Sequence, residues 1–340
     1  MKNFKSSVAP ARGGRGLLLV LAWLLGVLAG VLALPARAAE PGKVVAGVYV
    51  NKVQDVSFKD SKFAIDFYIW FRWKPVGALA DYKPLESFGL VNGRIDNKTV
   101  VDEKKIGDES YASARINATV SKDWELAAFP FDRHRIRVDI EDEKVFAGEM
   151  VFEADEVNSR LGDEIAVPGW NVSKFHTRVT SKEYLSNYGD TSLPTGNRVA
   201  YSRLSFGMEM DRDNAGTAIK LLSSVVVVTL LAFVVFWVHP QATDPRFGLG
   251  VGALFAVSAS AFVVAGAVPD SASMTVADQF HMIAVGFIFA SILMSALCMR
   301  WAEAGRDALW KRVDRVCRVL FPALFLLCLW MLIRTAANGQ

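Results

Sequence analysis

The sequence predicts an all-β extracellular, immunoglobulin-like sandwich followed by an all-α domain of four transmembrane helices. Up to about residue 215, short runs alternate polar and apolar residues, as strands with one buried face do. Turn signals such as Asn92-Gly93 and Pro168-Gly169 separate these runs. From residue 218 onward, apolar stretches follow that approach the ~20 residues a helix needs to cross a bilayer.

Residues 1–38 are predicted to be a signal peptide. Four basic residues precede an apolar run at 17–34: Lys2, Lys5, Arg12 and Arg15. The small residues of Ala36-Arg37-Ala38 then suit cleavage, with the mature chain starting near Ala39. The alternative is a retained anchor helix, because the apolar run is long. In both cases this segment is left out of the fold.

The exported region, residues 39–216, is predicted to consist of strands. Phe63–Trp73 is aromatic and β-branched, and residues 135–140 alternate charged and apolar side chains. Many short strands at such spacing indicate a sandwich. No disulfide framework is expected in this region, because the cysteines all lie in or beside the late apolar stretches: Cys298, Cys317 and Cys328.

The composition argues against several classes of function. The net charge of +3 gives no reason to expect a nucleic-acid partner. The histidines are scattered without the spacing of metal ligands, so neither a metal site nor a cofactor is expected: His134, His176, His239 and His281. No glycine-rich phosphate loop follows a predicted strand. An enzyme is therefore not expected.

The helical domain, residues 217–340, contains four predicted spans at about 218–238, 247–268, 278–299 and 317–336. The third and fourth spans flank a loop that carries five arginines and one lysine from Arg300 to Arg318. The loop 269–277 carries none. Because basic residues stay on the cytoplasmic side, the sandwich and the C-terminus are predicted to face the periplasm or the outside. The protein is thus expected to be a multi-pass membrane protein.

The second span is rich in small residues, since 10 of its 22 residues are Gly or Ala. One stripe of its helix steps by four and three residues: Gly248, Gly252, Phe255, Ala259, Phe262 and Gly266. If copies of this helix surrounded an axis, the stripe could line a pore with Phe255 and Phe262 as apolar constrictions. The alternative is that the small residues pack against the other spans of the same subunit.

Charged residues directly precede the second span. Asp244 and Arg246 flank Pro245 on the predicted cytoplasmic side. Charges at a pore mouth select which ions enter, so both residues are candidate mouth residues. The alternative is a helix cap at Asp244 together with an arginine placed by the distribution of basic residues across the membrane.

Several motifs follow one another in a fixed order. They are Ile65–Trp73, Tyr82-Lys83-Pro84, Asn92, Phe129-Pro130-Phe131-Asp132, Trp170, Tyr201-Ser202-Arg203-Leu204, Arg212, Phe236-Trp237, Arg246, Pro269 and Asp278-Gln279. In this order the chain resembles bacterial pentameric ligand-gated ion channels, of the Cys-loop receptor superfamily, from about Val44 onward. The resemblance implies a homopentamer in a bacterial inner membrane, in contact with lipid. It also implies a small-molecule or proton agonist and permeant inorganic ions.

The chain departs from the pattern of that family in several places. Lys122 and Ile136 stand where the two cysteines of the signature loop would fall, and Ser223-Ser224 replaces a usual proline. Gly occupies pore positions where hydroxyl residues are usual, so a non-conducting receptor or scaffold is the alternative function. Residues 40–216 contain 24 basic and 29 acidic residues, which with Asp244 favours cations over anions.

The resemblance places a coupling region between the two domains. Its expected members are Phe129, Pro130, Phe131, Asp132, Arg212 and Pro269, together with the turn at Phe58-Lys59-Asp60 and the loop 269–277. We expect Asp132 to pair with Arg212, because an unpaired carboxylate near the membrane would cost several kcal/mol. The alternative is that Asp132 caps its own turn.

The agonist site is the least defined part of the prediction. Tyr68 stands where the family places a binding aromatic, and Tyr188 precedes the presumed tip of a capping loop. Tyr111 is a further candidate. A cage of aromatic rings around a cation would be the family-like use of these residues. The alternative for each tyrosine is packing in the core or at a sheet edge.

Overall fold

Ten strands precede four long helices in the part of the chain that the structure describes. The structure is a computed structural model and describes residues 40–338 apart from 187–188, 190–198, 213 and 269–272. The predicted signal peptide, Tyr188 and Pro269 therefore lie outside the described residues.

The strands occupy almost the whole first half of the described chain. Their bounds are β1 Gly42–Ser57, β2 Lys62–Trp73, β3 Phe88–Leu90, β4 Gly93–Ile106, β5 Glu109–Ser121, β6 Arg133–Asp142, β7 Met150–Ala154, β8 Arg160–Leu161, β9 Trp170–Tyr184 and β10 Val199–Arg212. A 3₁₀ turn at Gly77–Leu79 and a single helical turn at Pro84–Ser87 connect β2 to β3.

The strands form two sheets that face each other. The first sheet has the order β4-β5-β2-β1-β7, with β8 also paired to β1, and the second has the order β3-β6-β10-β9. Burial alternates along β2, as the sequence predicts, and every second residue from Phe63 to Phe71 is buried. The rings of Phe67 and Phe206, 5.0 Å apart, join the two sheets across the core.

Four long helices follow the sandwich. Helix α1 spans Asn214–Ala232 and continues as 3₁₀ turns through Phe233–Trp237; α2 spans Thr243–Ala267, α3 Val276–Glu303 and α4 Asp307–Asn338. All four are long and apolar enough to cross a membrane. Each predicted span overlaps one of these helices. The predicted fold class, a β-sandwich followed by a four-helix transmembrane domain, is confirmed.

Small and aromatic residues set how the helices pack. A Cβ atom on Gly250 would lie 2.4 Å from Cγ1 of Ile292, so this glycine lets α2 approach α3 closely. Between the other helices, edge-on rings fill the space: Phe233, Phe236, Phe287, Phe321 and Phe325. Helix α3 starts with a capping box in which Thr275 and Asp278 bond to each other's backbone N–H groups.

Candidate functional site

The loop between β5 and β6 is hydrogen-bonded to the first turn of α3. The backbone N–H of Val276 donates to the carbonyl of Ala127 at 3.0 Å, and that of Ala277 donates to Phe129 at 3.1 Å. The first N–H groups of a helix have no acceptor inside the helix. Here the loop supplies carbonyl acceptors for two of these groups. Phe129 is buried in the same apolar cluster as Leu222 of α1. The sandwich is thus attached directly to the helices.

The predicted ion pair between Asp132 and Arg212 is present at this attachment. Arg212 donates from Nε to Oδ1 at 2.7 Å and from Nη2 to Oδ2 at 3.0 Å. Asp132 precedes β6 and Arg212 ends β10, and the pairing of these neighbouring strands brings the two side chains together. Because Asp132 is only 1% exposed, the pair is held away from water.

His134 is a second partner of this carboxylate that the sequence analysis did not identify. Its Nε2 lies 2.5 Å from Oδ2 of Asp132, and its side chain is buried. Burial works against ionisation of Asp132, but the hydrogen bonds from His134 and Arg212 outweigh it. Together they lower the pKa of Asp132 below its ordinary value. The carboxylate therefore stays charged and pairs with the guanidinium.

Aromatic rings surround the guanidinium of Arg212 on its other sides. Its Cζ lies 4.2 Å from the ring centroid of Trp170 and 5.0 Å from those of Phe58 and Phe129. Cations are attracted to such ring faces at these distances. Trp124 extends the group and packs edge-on against Phe58. We call Asp132, Arg212, His134 and these four rings the base cluster.

The remaining predicted coupling residues lie next to the base cluster. Pro130 is buried, and Phe131 lines an apolar cavity of about 570 Å³ beside Leu222 and Val226 of α1 and Phe280 of α3. Each of these side chains adds apolar contact at the junction of the two domains. Asp60, from the turn that carries Phe58, accepts a hydrogen bond from Ser57 and pairs with Lys62.

All six residues of the predicted stripe on α2 are exposed in the single subunit. The rings of Phe255 and Phe262 are 74% and 80% exposed, which is unusual for large apolar side chains. The opposite face of α2, with Ala253, Val257 and Val264, is the one that packs inside the subunit. The small-residue stripe is therefore free for contacts outside the subunit.

The prediction that Arg246 lies at a pore mouth is wrong. Its side chain is fully buried, and Nη2 lies 2.7 Å from Oδ1 of Asp314 on α4. Nη1 donates to Asp314 and to the carbonyl of Val238. A guanidinium tied in this way between three segments of the bundle holds the helices together and meets no solvent. Asp244, in contrast, is exposed.

Of the predicted binding tyrosines, Tyr188 lies outside the described residues, and Tyr68 and Tyr111 lie at separate positions of the β2–β5 ladder. Tyr68 on β2 stacks beneath Arg115, whose Cζ lies 5.8 Å from the ring centroid, and Tyr111 on β5 lies beneath Lys104 at 5.5 Å. Both residues belong to the first sheet.

A cavity that the sequence analysis missed lies at the edge of the second sheet. It has a volume of about 270 Å³ and is lined by Tyr184, Tyr201, Glu141 and Glu143 among others. The two tyrosine rings are 5.8 Å apart and edge-on, and Glu141 accepts hydrogen bonds from Tyr184 and from Arg203. Tyr201 stands in one of the ordered sequence motifs, whereas nothing in the sequence singles out Tyr184.

One family model and several curated proteins are similar to parts of this chain. A family model described as "Protein of unknown function (DUF998)" matches residues 213–340, which contain the helices. The gamma-aminobutyric acid receptor subunit beta of Caenorhabditis elegans is 24% identical over 194 residues, covering 57% of this chain and 33% of that protein. The human neuronal acetylcholine receptor subunit alpha-9 is 23% identical over 313 residues, covering 82% and 61%.

The chain is thus similar, at low identity, to subunits of gamma-aminobutyric acid and acetylcholine receptors. It spans less than two thirds of the length of each of these two relatives. Similarity to two proteins named as receptor subunits makes a receptor subunit the first function to propose for this chain. Together with the four apolar helices, it supports a multi-pass membrane protein.

Proposed function

We propose that the protein is the subunit of a homopentameric ligand-gated ion channel in a bacterial inner membrane. Ligand binding between neighbouring sandwiches, on the periplasmic side, opens a pore lined by α2. The base cluster carries this proposal, because it connects the sandwich to the helices in two ways. The loop containing Phe129 bonds to the first turn of α3, and Arg212 ends the strand that leads into α1.

A ligand shifts a channel toward its open state only by binding that state more tightly. The difference in binding must reach the helices through bonded or packed contacts. A displacement of β10 would move Arg212, and with it Asp132 and the loop bonded to α3. The outer end of α2 is connected to α3 through the segment 268–275, so both helices respond to the same loop.

The pore in this proposal is formed by the exposed stripe of α2. Gly248, Gly252, Ala259 and Gly266 leave the pore wide at their levels, and Phe255 and Phe262 form apolar constrictions that close by dewetting. The exposed Asp244 would stand at the cytoplasmic mouth. This carboxylate and the acidic excess of residues 40–216 favour cations.

The agonist in this proposal is a small organic cation bound at the Tyr184–Tyr201 cavity. Glu141 is already neutralised by Arg203, but Glu143 is exposed beside the two rings. Aromatic faces next to a carboxylate are suited to an ammonium group. Tyr68 of a neighbouring copy would complete the site from the opposite side, as the family resemblance implies.

The proposal is tested by recording currents from the purified protein in planar bilayers. Propylamine, choline and γ-aminobutyric acid are applied first. Steps from pH 7 to pH 4 then test whether protons are the agonist. We expect a current evoked by at least one of these stimuli. In a NaCl gradient its reversal potential should shift toward that of Na⁺. A silent pentamer that still binds an amine would favour a non-conducting receptor instead.

A further inference from the structure

A basic cavity lies on the outer face of the second sheet, where β6, β9 and β10 run side by side. Its volume is about 530 Å³. The cationic and imidazole side chains that line it are Arg135, Arg137, Lys174, His176, Arg178 and Arg203. The domain as a whole is acidic, so this concentration of positive charge stands out from its surroundings.

The cations of this cavity outnumber the carboxylates that could neutralise them. Lys174 and Arg135 share one carboxylate, Glu209, at 2.7 and 2.9 Å. The pKa of Glu209 is lowered by its hydrogen bonds to Lys174 and Arg135, as expected in a positive environment. In the same way, Arg137 and Arg203 have Asp139 and Glu141 as acceptors.

Arg178 is the cation left over. Within the described part of the chain it makes no ion pair or hydrogen bond through its side chain, which is exposed on β9. The five basic side chains therefore face three carboxylates. About two further negative charges would therefore neutralise the cavity.

The shape of the cavity comes from an irregularity in β9. Gly207 pairs with His176 and Glu209 pairs with Ser173, so Lys174 and Phe175 face a single residue of β10. Such a bulge bends the strand, and Lys174 adopts a φ of 49° within it. Gly207 lies on β10 between the lining residues Ser205 and Glu209, where a Cβ atom would be 2.4 Å from the carbonyl oxygen of Ile136. The missing side chain therefore lets β10 lie close to β6 at this point.

The side chains are arranged in two layers. At the floor, Arg203 is only 13% exposed, and the hydroxyl of Ser205 donates to Asp139. At the rim, Arg135 and Lys174 are 67% and 74% exposed and can turn toward a ligand. Guanidinium groups bind carboxylate and phosphate oxygens in pairs of parallel hydrogen bonds. We propose that this cavity is a binding site for a small dianion, such as hydrogenphosphate, sulfate or a short dicarboxylate.

Titration calorimetry on the full chain in detergent tests this site. Inorganic phosphate, sodium sulfate and succinate are titrated separately at pH 7.5 and low salt, with NaCl of equal ionic strength as the reference. We expect saturable binding of at least one dianion with one site per chain. Added NaCl should weaken the binding, because the rim is open to solvent. Absence of saturable binding by all three dianions would overturn the proposal.

Arg178→Ala is the decisive variant, because this side chain has no ion pair or hydrogen bond to lose among the described residues and its removal should leave the fold intact. We expect its affinity for the dianion to fall by a factor of ten or more. Arg178→Lys, which keeps the charge without the paired donors, should lose less. Arg94→Ala removes an arginine from an exposed site on β4 and should leave the affinity unchanged. An equal loss in Arg94→Ala and Arg178→Ala would reduce the effect to general charge attraction and contradict a built site.

Discussion

The base of the sandwich and the interior of the helical bundle each hold a buried arginine–aspartate pair with the same two hydrogen-bond lengths. Arg212 and Arg246 both donate twice to a carboxylate, at 2.7 and 3.0 Å. Their surroundings differ, because three aromatic rings and His134 enclose the first pair. Around the second pair, one backbone carbonyl accepts a bond and the Nε of Arg246 has no acceptor among the described residues.

This difference shows what each pair can do. At the base, Arg212 would keep its ring contacts if the carboxylate were lost, so the pair can loosen without leaving a bare charge. In the bundle, Arg246 has little else to hold it, and loss of Asp314 would leave a buried cation. The Asp132–Arg212 pair is therefore suited to transmit movement between the domains. The Arg246–Asp314 pair is suited to fix one arrangement of α2 and α4.

The largest expected effect is in the bundle. Asp314→Ala leaves Arg246 buried without a counter-charge, and removing one partner of such a pair destabilises a protein by about 3–5 kcal/mol. We expect most of the protein to be lost from the monodisperse peak in size-exclusion chromatography, with a lower melting temperature for the remainder. Arg315→Ala, at the next and exposed position, should behave as the wild type. A normal melting temperature for Asp314→Ala would show that the bundle does not need the pair.

The Asp132–Arg212 pair should contribute less to stability than the Arg246–Asp314 pair. Asp132→Asn keeps the shape of the side chain and leaves Arg212 among its rings, so we expect a loss near 3 kcal/mol, at the lower end of the range for broken buried pairs. Chemical unfolding of the two variants in the same detergent compares them directly. Asp123→Asn, on the same loop but exposed, is the matched control. A larger loss for Asp132→Asn than for Asp314→Ala would reverse the comparison.

The rings around Arg212 should contribute a smaller amount. Trp170→Leu removes the closest ring face, and a cation–π contact contributes about 0.5–2 kcal/mol. We expect a shift of that size in the unfolding free energy, and a smaller one for Trp170→Phe, which keeps an aromatic face. Equal effects of the two substitutions would mean that Trp170 acts through its volume alone.

The pH dependence of stability gives the smallest effect. The folded state lowers the pKa of Asp132, so the unfolded state binds the proton more tightly. The stabilisation is therefore complete above the ordinary aspartate pKa of about 4 and is lost as the pH falls through the lower folded pKa. We expect the stability difference between wild type and Asp132→Asn to be constant from pH 5 to pH 7 and to shrink below about pH 4. A constant difference down to pH 2.5 would contradict this assignment.

The Asp132–Arg212 pair was predicted from the sequence but the Arg246–Asp314 pair was not, for a physical reason. Asp132 follows an apolar turn and Arg212 ends the last strand before a span, and the family resemblance implied that both lie at the junction of the two domains. Arg246 follows Asp244 and Pro245 and therefore resembles an exposed helix start. Its partner Asp314 lies on a different helix in a stretch rich in basic residues, and only the packing of the helices brings the two together.

Other parts of the site were beyond sequence reasoning. His134 lies next to the signature loop, but nothing in its neighbours shows that its ring turns toward Asp132. The basic cavity depends on a bulge at Lys174, and a run of alternating charges does not reveal a shift in register. The stripe on α2 was found because small residues at helical spacing are visible in the sequence, and all six are exposed in the subunit.

The most direct test of the account measures ligand binding and current in the same preparation of Asp132→Asn. The amine that activates the wild type is titrated by calorimetry and applied to the protein in bilayers, with Asp123→Asn as the control. If the base cluster couples the two domains, Asp132→Asn should bind the amine with nearly unchanged Kd but carry at most a tenth of the wild-type current per pentamer. Unchanged Kd with unchanged current would contradict the coupling role of the base cluster.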